Sequence, residues 1–285
     1  MCRGVIQMQE ITIESFDGHA ISVLHSDPVP GKTYVTIVLP FGLRAKAAGE
    51  LCARLSPHFN VLTWQSRSII DRPEGAAEEI VLTPHMHAND MVQVLRHFRV
   101  GTSNVVGFCS GAGIALLAAA EWPRMIDRLV LVCGEYMLPP EICPQTNFQR
   151  EVDSLLPLAA IDRRSAASLC EKLKISRSKA ESEFDEEVVL PFSNSEYLYR
   201  HGINYLTYRQ VDFREAAKSV PHRTLLISTE NDKQVTVQSS RLIADLLPNR
   251  KEHVVLPGDH YEILRGRAEM VEALTAFLND DVLVR

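Results

Sequence analysis

A short run in the first half of the chain reads Val105-Val106-Gly107-Phe108-Cys109-Ser110-Gly111-Ala112-Gly113. Its spacing is Gly-x-Cys-x-Gly, which is the nucleophile-elbow pattern Gly-x-Ser-x-Gly with sulfur in place of the hydroxyl. Residues 104–108 predict a buried strand, and the Ala/Leu-rich residues 114–120 predict a helix packed on a sheet. A sharp strand-to-helix turn strains its central residue and requires small neighbours, which Gly107 and Gly111 supply.

The side chain at the centre of this turn is a candidate nucleophile. The turn would lift Cys109 above the edge of the sheet, at the N-terminus of a helix whose dipole is expected to lower the pKa of the thiol. The simpler alternative is that Cys109 is a buried small hydrophobic residue, as most free cysteines are. A base and an acid in suitable positions would distinguish the two interpretations.

Composition excludes several classes of protein. The chain has 285 residues, of which 46% are hydrophobic and 23% charged, and this is typical of a soluble globular protein with one large domain or one domain and an insertion. The net charge of −6 argues against nucleic-acid binding, which usually requires a basic face. The absence of a long apolar run predicts no membrane span and no signal peptide. The six cysteines lack paired spacing, which fits reduced thiols, so we expect a cytoplasmic protein.

Apolar runs alternate with helical patterns along most of the chain. After a predicted hairpin in residues 10–24, strands are expected at 34–39, 60–64, 104–108, 128–133, 224–228 and 253–256, and further helices at 45–55, 86–98, 237–247 and 269–278. Continuous apolar strands joined by helices indicate an α/β fold with a mostly parallel sheet covered on both faces. Ligands of such sheets bind at the carboxyl ends of the strands, where the predicted elbow lies.

The alternation stops between residues 135 and 221. Helical patterns at 165–173 and 178–189 predict a helical lid inserted into the sheet domain, so we expect core segments at 1–134 and 222–285 with the lid at 135–221. Its aromatic residues could line a substrate pocket or form the lid's own small core; the tyrosines concerned are Tyr197, Tyr199, Tyr205 and Tyr208.

Two loops at the same predicted edge of the sheet supply a candidate acid and a candidate base. Asp232 follows the strand at 224–228, and His260 follows the last strand at 253–256. The resulting chain order of nucleophile, acid and histidine is the order in α/β-hydrolases. We therefore expect a triad of Cys109, Asp232 and His260.

Other residues compete for the same roles. Glu230 and Asp259 are alternative acids, and each acid could instead be a solvated loop carboxylate. His201, in the predicted lid, is a weaker rival for the base because it follows no terminal strand.

An oxyanion hole needs two backbone N–H donors. One is expected from Ser110, directly after the candidate nucleophile, and the other from the loop after the strand at 34–39. In that loop either Gly42 or Phe41 can provide the second donor.

These motifs resemble the α/β-hydrolase superfamily across nearly the whole chain. Besides the elbow, the resemblance is carried by the segment at 121–132 and by Asn89-Asp90-Met91 before the elbow. After the first buried strand the usual His-Gly is replaced by Pro40-Phe41, which is closer to the Pro-aromatic pattern of stand-alone thioesterases of peptide and polyketide synthesis.

The cysteine in the elbow points to a particular group of enzymes within this superfamily. The chain resembles the small cysteine-dependent aminoacyltransferases of nonribosomal peptide pathways, such as those of the coronatine and syringomycin pathways. This resemblance implies that Cys109 shuttles an aminoacyl group between phosphopantetheine thiols of carrier proteins, without a bound cofactor or metal. Dienelactone hydrolases also use a cysteine elbow, but they are smaller and lack a long lid.

Thioester chemistry favours the same interpretation. A cysteine thioester is nearly isoenergetic with a carrier thioester, so transfer in and out of the enzyme is reversible. The alternatives are a thioesterase or small-ester hydrolase with the same triad, and a non-catalytic binding protein of the same fold. Arg67 and Arg200 are candidate contacts to a carrier or a polar substrate, although most surface arginines are simply solvated.

Overall fold

A single sheet organises the part of the chain that the structure, a computed structural model, describes: residues 8–71, 83–176, 183–249 and 251–279. Its strands are β1 (Met8–Glu14), β2 (Ala20–Ser26), β3 (Tyr34–Val38), β4 (Asn60–Trp64), β5 (Ser103–Phe108), β6 (Ile126–Val132), β7 (Arg223–Thr229) and β8 (Lys251–Leu256). They lie in the order β1-β2-β4-β3-β5-β6-β7-β8. The hairpin β1–β2 and the β2–β4 pair are antiparallel, and all other pairs are parallel. The predicted α/β class is confirmed.

Helices connect these strands. They are α1 (Gly49–Leu55), α2 (Pro84–His97), α3 (Ser110–Glu121), α4 (Asn147–Ala159), α5 (Arg163–Ser176), α6 (Glu183–Val189), α7 (Ser195–Tyr208), α8 (Phe213–Lys218), α9 (Val237–Leu246) and α10 (Ala268–Asn279). The first predicted helix is a 3-10 turn, Ala45–Ala48, followed by α1. Among the described helices, none combines the length and apolar character needed to cross a membrane.

Both faces of the sheet are buried, which explains why its strands are apolar runs. One face packs against α2, α3, α8 and α9, with side chains such as Val105, Leu129 and Leu226 between them. The other face packs against α1 and α10, with Val106 and Val130 contributed by the same strands. Alternate residues of one strand therefore enter different cores, as the strand periodicity requires.

The described residues between β6 and β7 contain helices α4 to α8 and no strand. Three of them, α4, α5 and α7, share a small core of their own that includes Leu156, Leu198 and Tyr205. The sequence patterns anticipated α5 and α6, whereas α4, α8 and the tyrosine-rich α7 were not predicted as helices. Residues 178–182 of a predicted helix and 72–82 of a predicted loop lie outside the described residues.

Candidate active site

Cys109 occupies a strained turn between β5 and α3. Its φ of 52° is in the left-handed region, which residues with a Cβ rarely adopt. A Cβ on Gly107 would lie 2.6 Å from Cα of Ala112, and a Cβ on Gly111 would lie 2.2 Å from the carbonyl oxygen of Val38. The turn is therefore possible only with glycine at both flanking positions, as the spacing of the motif implied.

Asp232 and His260 form a fixed pair in the loops after β7 and β8. Nδ1 of His260 lies 2.7 Å from Oδ2 of Asp232, and each side chain is only 3% exposed. The other carboxylate oxygen accepts hydrogen bonds from the backbone N–H groups of Gln234 and Val235, at 2.7 and 2.9 Å. The imidazole also packs on the ring of Phe108, with centroids 4.8 Å apart. Because the carboxylate accepts from Nδ1, Nε2 is left as the basic nitrogen.

The rival acids are placed elsewhere. The Asp259 carboxylate pairs with Arg265 at 2.8 Å and also accepts from the N–H of Tyr261. Glu230 is exposed. His201 lines the same cavity as Cys109, but its buried Nδ1 has no hydrogen-bond partner among the described residues, and burial lowers its pKa to about 4. Of the candidate acids, Asp232 is the one that holds a histidine.

A cavity of about 410 Å³ joins these elements. It is lined by Cys109, Ser110, Phe41 and His260. The rest of the lining is mostly apolar and comes largely from the helices and loops between β6 and β7; it includes Met137, Leu138, Phe148, Val152, Leu156, Pro191 and Phe192. No hydrogen bond joins Cys109 to His260 among the described contacts, and such catalytic contacts commonly tighten only when substrate binds.

The two candidates for the second oxyanion donor are in different situations. The N–H of Gly42 donates to Oγ of Ser66 at 3.0 Å, and Gly42 does not line the cavity. The N–H of Phe41 donates to Oγ of Ser110 across a longer 3.3 Å, and Phe41 does line the cavity. Ser110 is the first residue of α3, where a backbone N–H has no partner within the helix. We therefore favour Phe41 over Gly42 as the second donor.

The pKa of the Cys109 thiol is raised well above its ordinary value. Burial is the largest cause, followed by the negative charges of Glu135 and Asp232, whereas the N–H of Ser110 lowers the pKa by a smaller amount. The expectation that the helix N-terminus would lower the pKa of this thiol is wrong in its net direction. The raised pKa favours the protonated thiol over the thiolate near neutral pH.

Glu135 is a cavity residue that the sequence argument did not identify. It lies just beyond β6, and its backbone N–H donates to the carbonyl oxygen of Cys109 at 3.1 Å. The hydroxyl of Tyr208, at the end of α7, donates to the carbonyl oxygen of Glu135 at 2.6 Å and lies 3.0 Å from that of Ser110. The position of Glu135 at the carboxyl end of a parallel strand is the signal that could have identified it.

A second cysteine lies beside the acid and the histidine. Donor atoms of Cys133, Asp232 and His260 lie within 4.8 Å of one another, and Sγ of Cys133 also contacts Oγ1 of Thr229 at 3.6 Å. These are donor atoms of the kind that bind metal ions, but those of Asp232 and His260 are already bonded to each other. The five cysteines in the described part of the chain are free thiols.

Two arginines considered as substrate contacts have structural roles. Arg67 is 2% exposed, and its guanidinium binds the carboxylates of Asp17 and Asp90. Arg200 is fully buried and donates to Glu196 at 2.9 Å. Neither lines the cavity.

Some tyrosines of the predicted lid line the cavity, and others pack in hydrophobic cores. Tyr205 and Tyr208 line the cavity, and Tyr205 also belongs to the small core between α4, α5 and α7. Tyr197 and Tyr199 pack at the edges of hydrophobic cores instead.

Sequence comparison agrees with the fold. The profile of the alpha/beta hydrolase fold family matches residues 71–266, which is more than half of the chain. The chain therefore belongs to the α/β-hydrolase family.

Similarity to individual proteins extends over most of the chain. It is 24% identical to L-allo-isoleucyltransferase of Pseudomonas savastanoi pv. glycinea over 252 residues, covering 85% of each protein. It is 26% identical to RutD of Caulobacter vibrioides, to which carbamate hydrolase activity is attributed, over 95% of this chain and 99% of that protein. A solved hydrolase from Pseudomonas aeruginosa PA01 matches the fold with a TM-score of 0.71 at 19% identity, covering 95% of this chain and 98% of the other.

Proposed function

We propose that the protein is an acyltransferase that moves an acyl or aminoacyl group between carrier-protein thiols through a thioester on Cys109. One observation carries this proposal: a thiol, rather than a hydroxyl, occupies the strained elbow and shares a cavity with the fixed Asp232–His260 pair. Similarity to an aminoacyltransferase supports it.

In the first half of the cycle, Nε2 of His260 removes the proton of the Cys109 thiol as the sulfur attacks the carbonyl carbon of the donor thioester. The N–H groups of Ser110 and Phe41 stabilise the oxyanion of the tetrahedral intermediate. The bond between carbon and the carrier sulfur then breaks. The departing carrier sulfur takes the proton from Nε2, which leaves an acyl group on Cys109 and a free carrier thiol.

The second half reverses these steps with another carrier. His260 removes the proton of the incoming thiol, whose sulfur attacks the acyl-Cys109 carbonyl carbon. Collapse of the intermediate breaks the bond to the Cys109 sulfur, which recovers its proton from His260. Asp232 accepts the hydrogen bond from Nδ1 and holds the imidazole while it carries the positive charge.

A hydrolase with the same residues is the second candidate. Similarity to RutD over nearly the full length of both proteins favours it. The two candidates share the acyl-enzyme and differ only in what attacks it: a thiol in the transferase and water in the hydrolase.

The test is incubation of the protein with an acyl-loaded carrier, followed by mass spectrometry of the intact protein. We expect an adduct on Cys109 that is absent from a Cys109→Ala variant and persists until unloaded carrier is added. Transfer to the second carrier supports the acyltransferase, whereas rapid release of free acid supports the hydrolase. If no adduct forms, both proposals fail.

A further inference from the structure

Glu135 lines the cavity that contains the candidate nucleophile, and the charge of its carboxylate acts on the Cys109 thiol. The two residues are neighbours across adjacent strand ends, because the N–H of Glu135 donates to the carbonyl oxygen of Cys109. The carboxylate is held in place: Oε1 accepts from the N–H of Met137 at 2.9 Å, and Oε2 accepts from Nε2 of Gln149 at 2.5 Å. Each oxygen still has a lone pair for another donor.

No positively charged side chain of the described residues forms an ion pair with Glu135. The arginine that lines the cavity, Arg209, lies 3.6 Å from Asp153, and the imidazole of His260 is bonded to Asp232. Removal of a carboxylate from water is costly unless a cation compensates for it, and burial raises the pKa of Glu135 accordingly. Among the described residues, the Glu135 carboxylate thus has no ion-paired cation, and the imidazole of His260 acts on it only through space.

We propose that Glu135 binds the α-ammonium group of an aminoacyl thioester and so selects aminoacyl over simple acyl substrates. This inference rests on the proposed function and adds a specificity residue to it. The amino nitrogen of an aminoacyl thioester is carried by the carbon next to the reacting carbonyl. A receptor for it must therefore lie beside the nucleophile, which is where Glu135 lies.

The remainder of the cavity suits the rest of such a substrate. Side chains of Met137, Leu138, Val152 and Phe192 form an apolar surface that can accept a hydrocarbon side chain. The pocket thus combines the Glu135 carboxylate, whose charge acts on the Cys109 thiol, with a mostly apolar interior. The other carboxylate of its described lining, Asp153, is paired with Arg209.

Binding of an ammonium group at Glu135 would also affect the nucleophile. The Glu135 carboxylate is the charge that contributes most to the raised pKa of the Cys109 thiol. A substrate cation beside that carboxylate offsets its charge and makes removal of the thiol proton easier. The correct substrate would then assist the reaction as well as fit the cavity.

The test compares matched pairs of carrier-bound groups that differ only in the amine, such as valyl with isovaleryl and leucyl with 4-methylpentanoyl. The readout is the rate at which the Cys109 adduct forms. We expect the wild type to prefer the amino form by at least about 10-fold, the difference that one charged hydrogen bond provides. In Glu135→Gln the two loading rates should come within about 2-fold of each other, because the lower pKa of the Cys109 thiol in this variant acts on both forms alike. Glu14→Gln, an exposed acid on β1, is the matched control.

Equal use of both forms by the wild type, or an equal loss of both in Glu135→Gln, would overturn the proposal. A second measurement separates it from the acyl-transfer reaction itself. In the Cys109→Ala background, calorimetry with valyl-pantetheine and isovaleryl-pantetheine should show tighter binding of the amino form, and Glu135→Gln should abolish the difference. If no adduct forms but this difference is found, the proposed function fails and the ammonium site stands. If the difference is absent, the ammonium site fails.

Discussion

Asp232 and His260 are joined by a 2.7 Å hydrogen bond between two side chains that are almost completely removed from solvent. Two backbone N–H groups hold the other carboxylate oxygen, so the acid has little freedom to turn away. The geometry fixes which imidazole nitrogen is basic, and this determines where a proton can be accepted.

Asp232→Asn should slow formation of the Cys109 adduct by about 100-fold or more, because an amide can present its N–H to Nδ1 and stabilise the wrong tautomer. Rapid-quench mass spectrometry measures the rate. Asp259→Asn is the matched control and should retain nearly the full rate, because Asp259 pairs with Arg265 rather than with the histidine. A large loss in Asp259→Asn with little loss in Asp232→Asn would show that Asp259, and not Asp232, is the acid that supports His260.

Cys109→Ser should lose transfer between carriers and release free acid from whatever adduct still forms. A serine ester is lower in energy than a thioester, so return of the acyl group to a thiol becomes unfavourable. The measurement is the ratio of transferred to hydrolysed product with labelled acyl carrier. Unchanged transfer by the serine variant would contradict the role assigned to sulfur.

Alkylation of Cys109 by iodoacetamide should continue to accelerate as the pH rises past 9. Thiolate is the reactive form, and the raised pKa keeps the group protonated below that range. Glu135→Gln should shift the rise to lower pH, because it removes a negative charge that opposes ionisation. Peptide mass spectrometry after timed quenching gives the profile. A plateau already reached near pH 7 would show that the resting sulfur is a thiolate.

Gly111→Ala should reduce the free energy of unfolding by about 2 kcal/mol or more, since the new methyl group would overlap the backbone of Val38. Gly49→Ala is the matched control in another helix, where a Cβ has no heavy atom within 4 Å. That variant should be neutral or more stable by up to about 1 kcal/mol. Urea denaturation measures both. Similar losses in both variants would refute the steric argument.

Local pattern was sufficient to predict the fold and the region of the candidate site. Buried strands, the Gly-x-Cys-x-Gly spacing and the order of Cys109, Asp232 and His260 are all features of short segments. Because parallel strands end at one edge of a sheet, residues in the loops after those strands are expected to lie close together. The proximity of Cys109, Asp232 and His260 therefore follows from their positions in the sequence. The roles of these residues remain predictions.

Contacts between distant segments could not be predicted in the same way. The N–H of Gly42 is bonded to Ser66, which follows a different strand. The pKa of the thiol depends on Glu135 and Asp232, which come from two other loops. The N–H of Ser110, at the N-terminus of α3, is the influence on the thiol that follows from the local sequence, and burial outweighs it. Such effects arise only when the chain is assembled.

The positive φ of Cys109 has a consequence for how the protein can evolve. Every molecule keeps this residue in an unfavourable conformation, whether or not a substrate is present. Glycine would adopt the same conformation without that cost of about 1–3 kcal/mol, yet it carries no sulfur. Random mutation followed by selection for thermal stability alone would thus tend to replace this candidate nucleophile. Retention of cysteine at position 109 in such an experiment would indicate selection for its thiol.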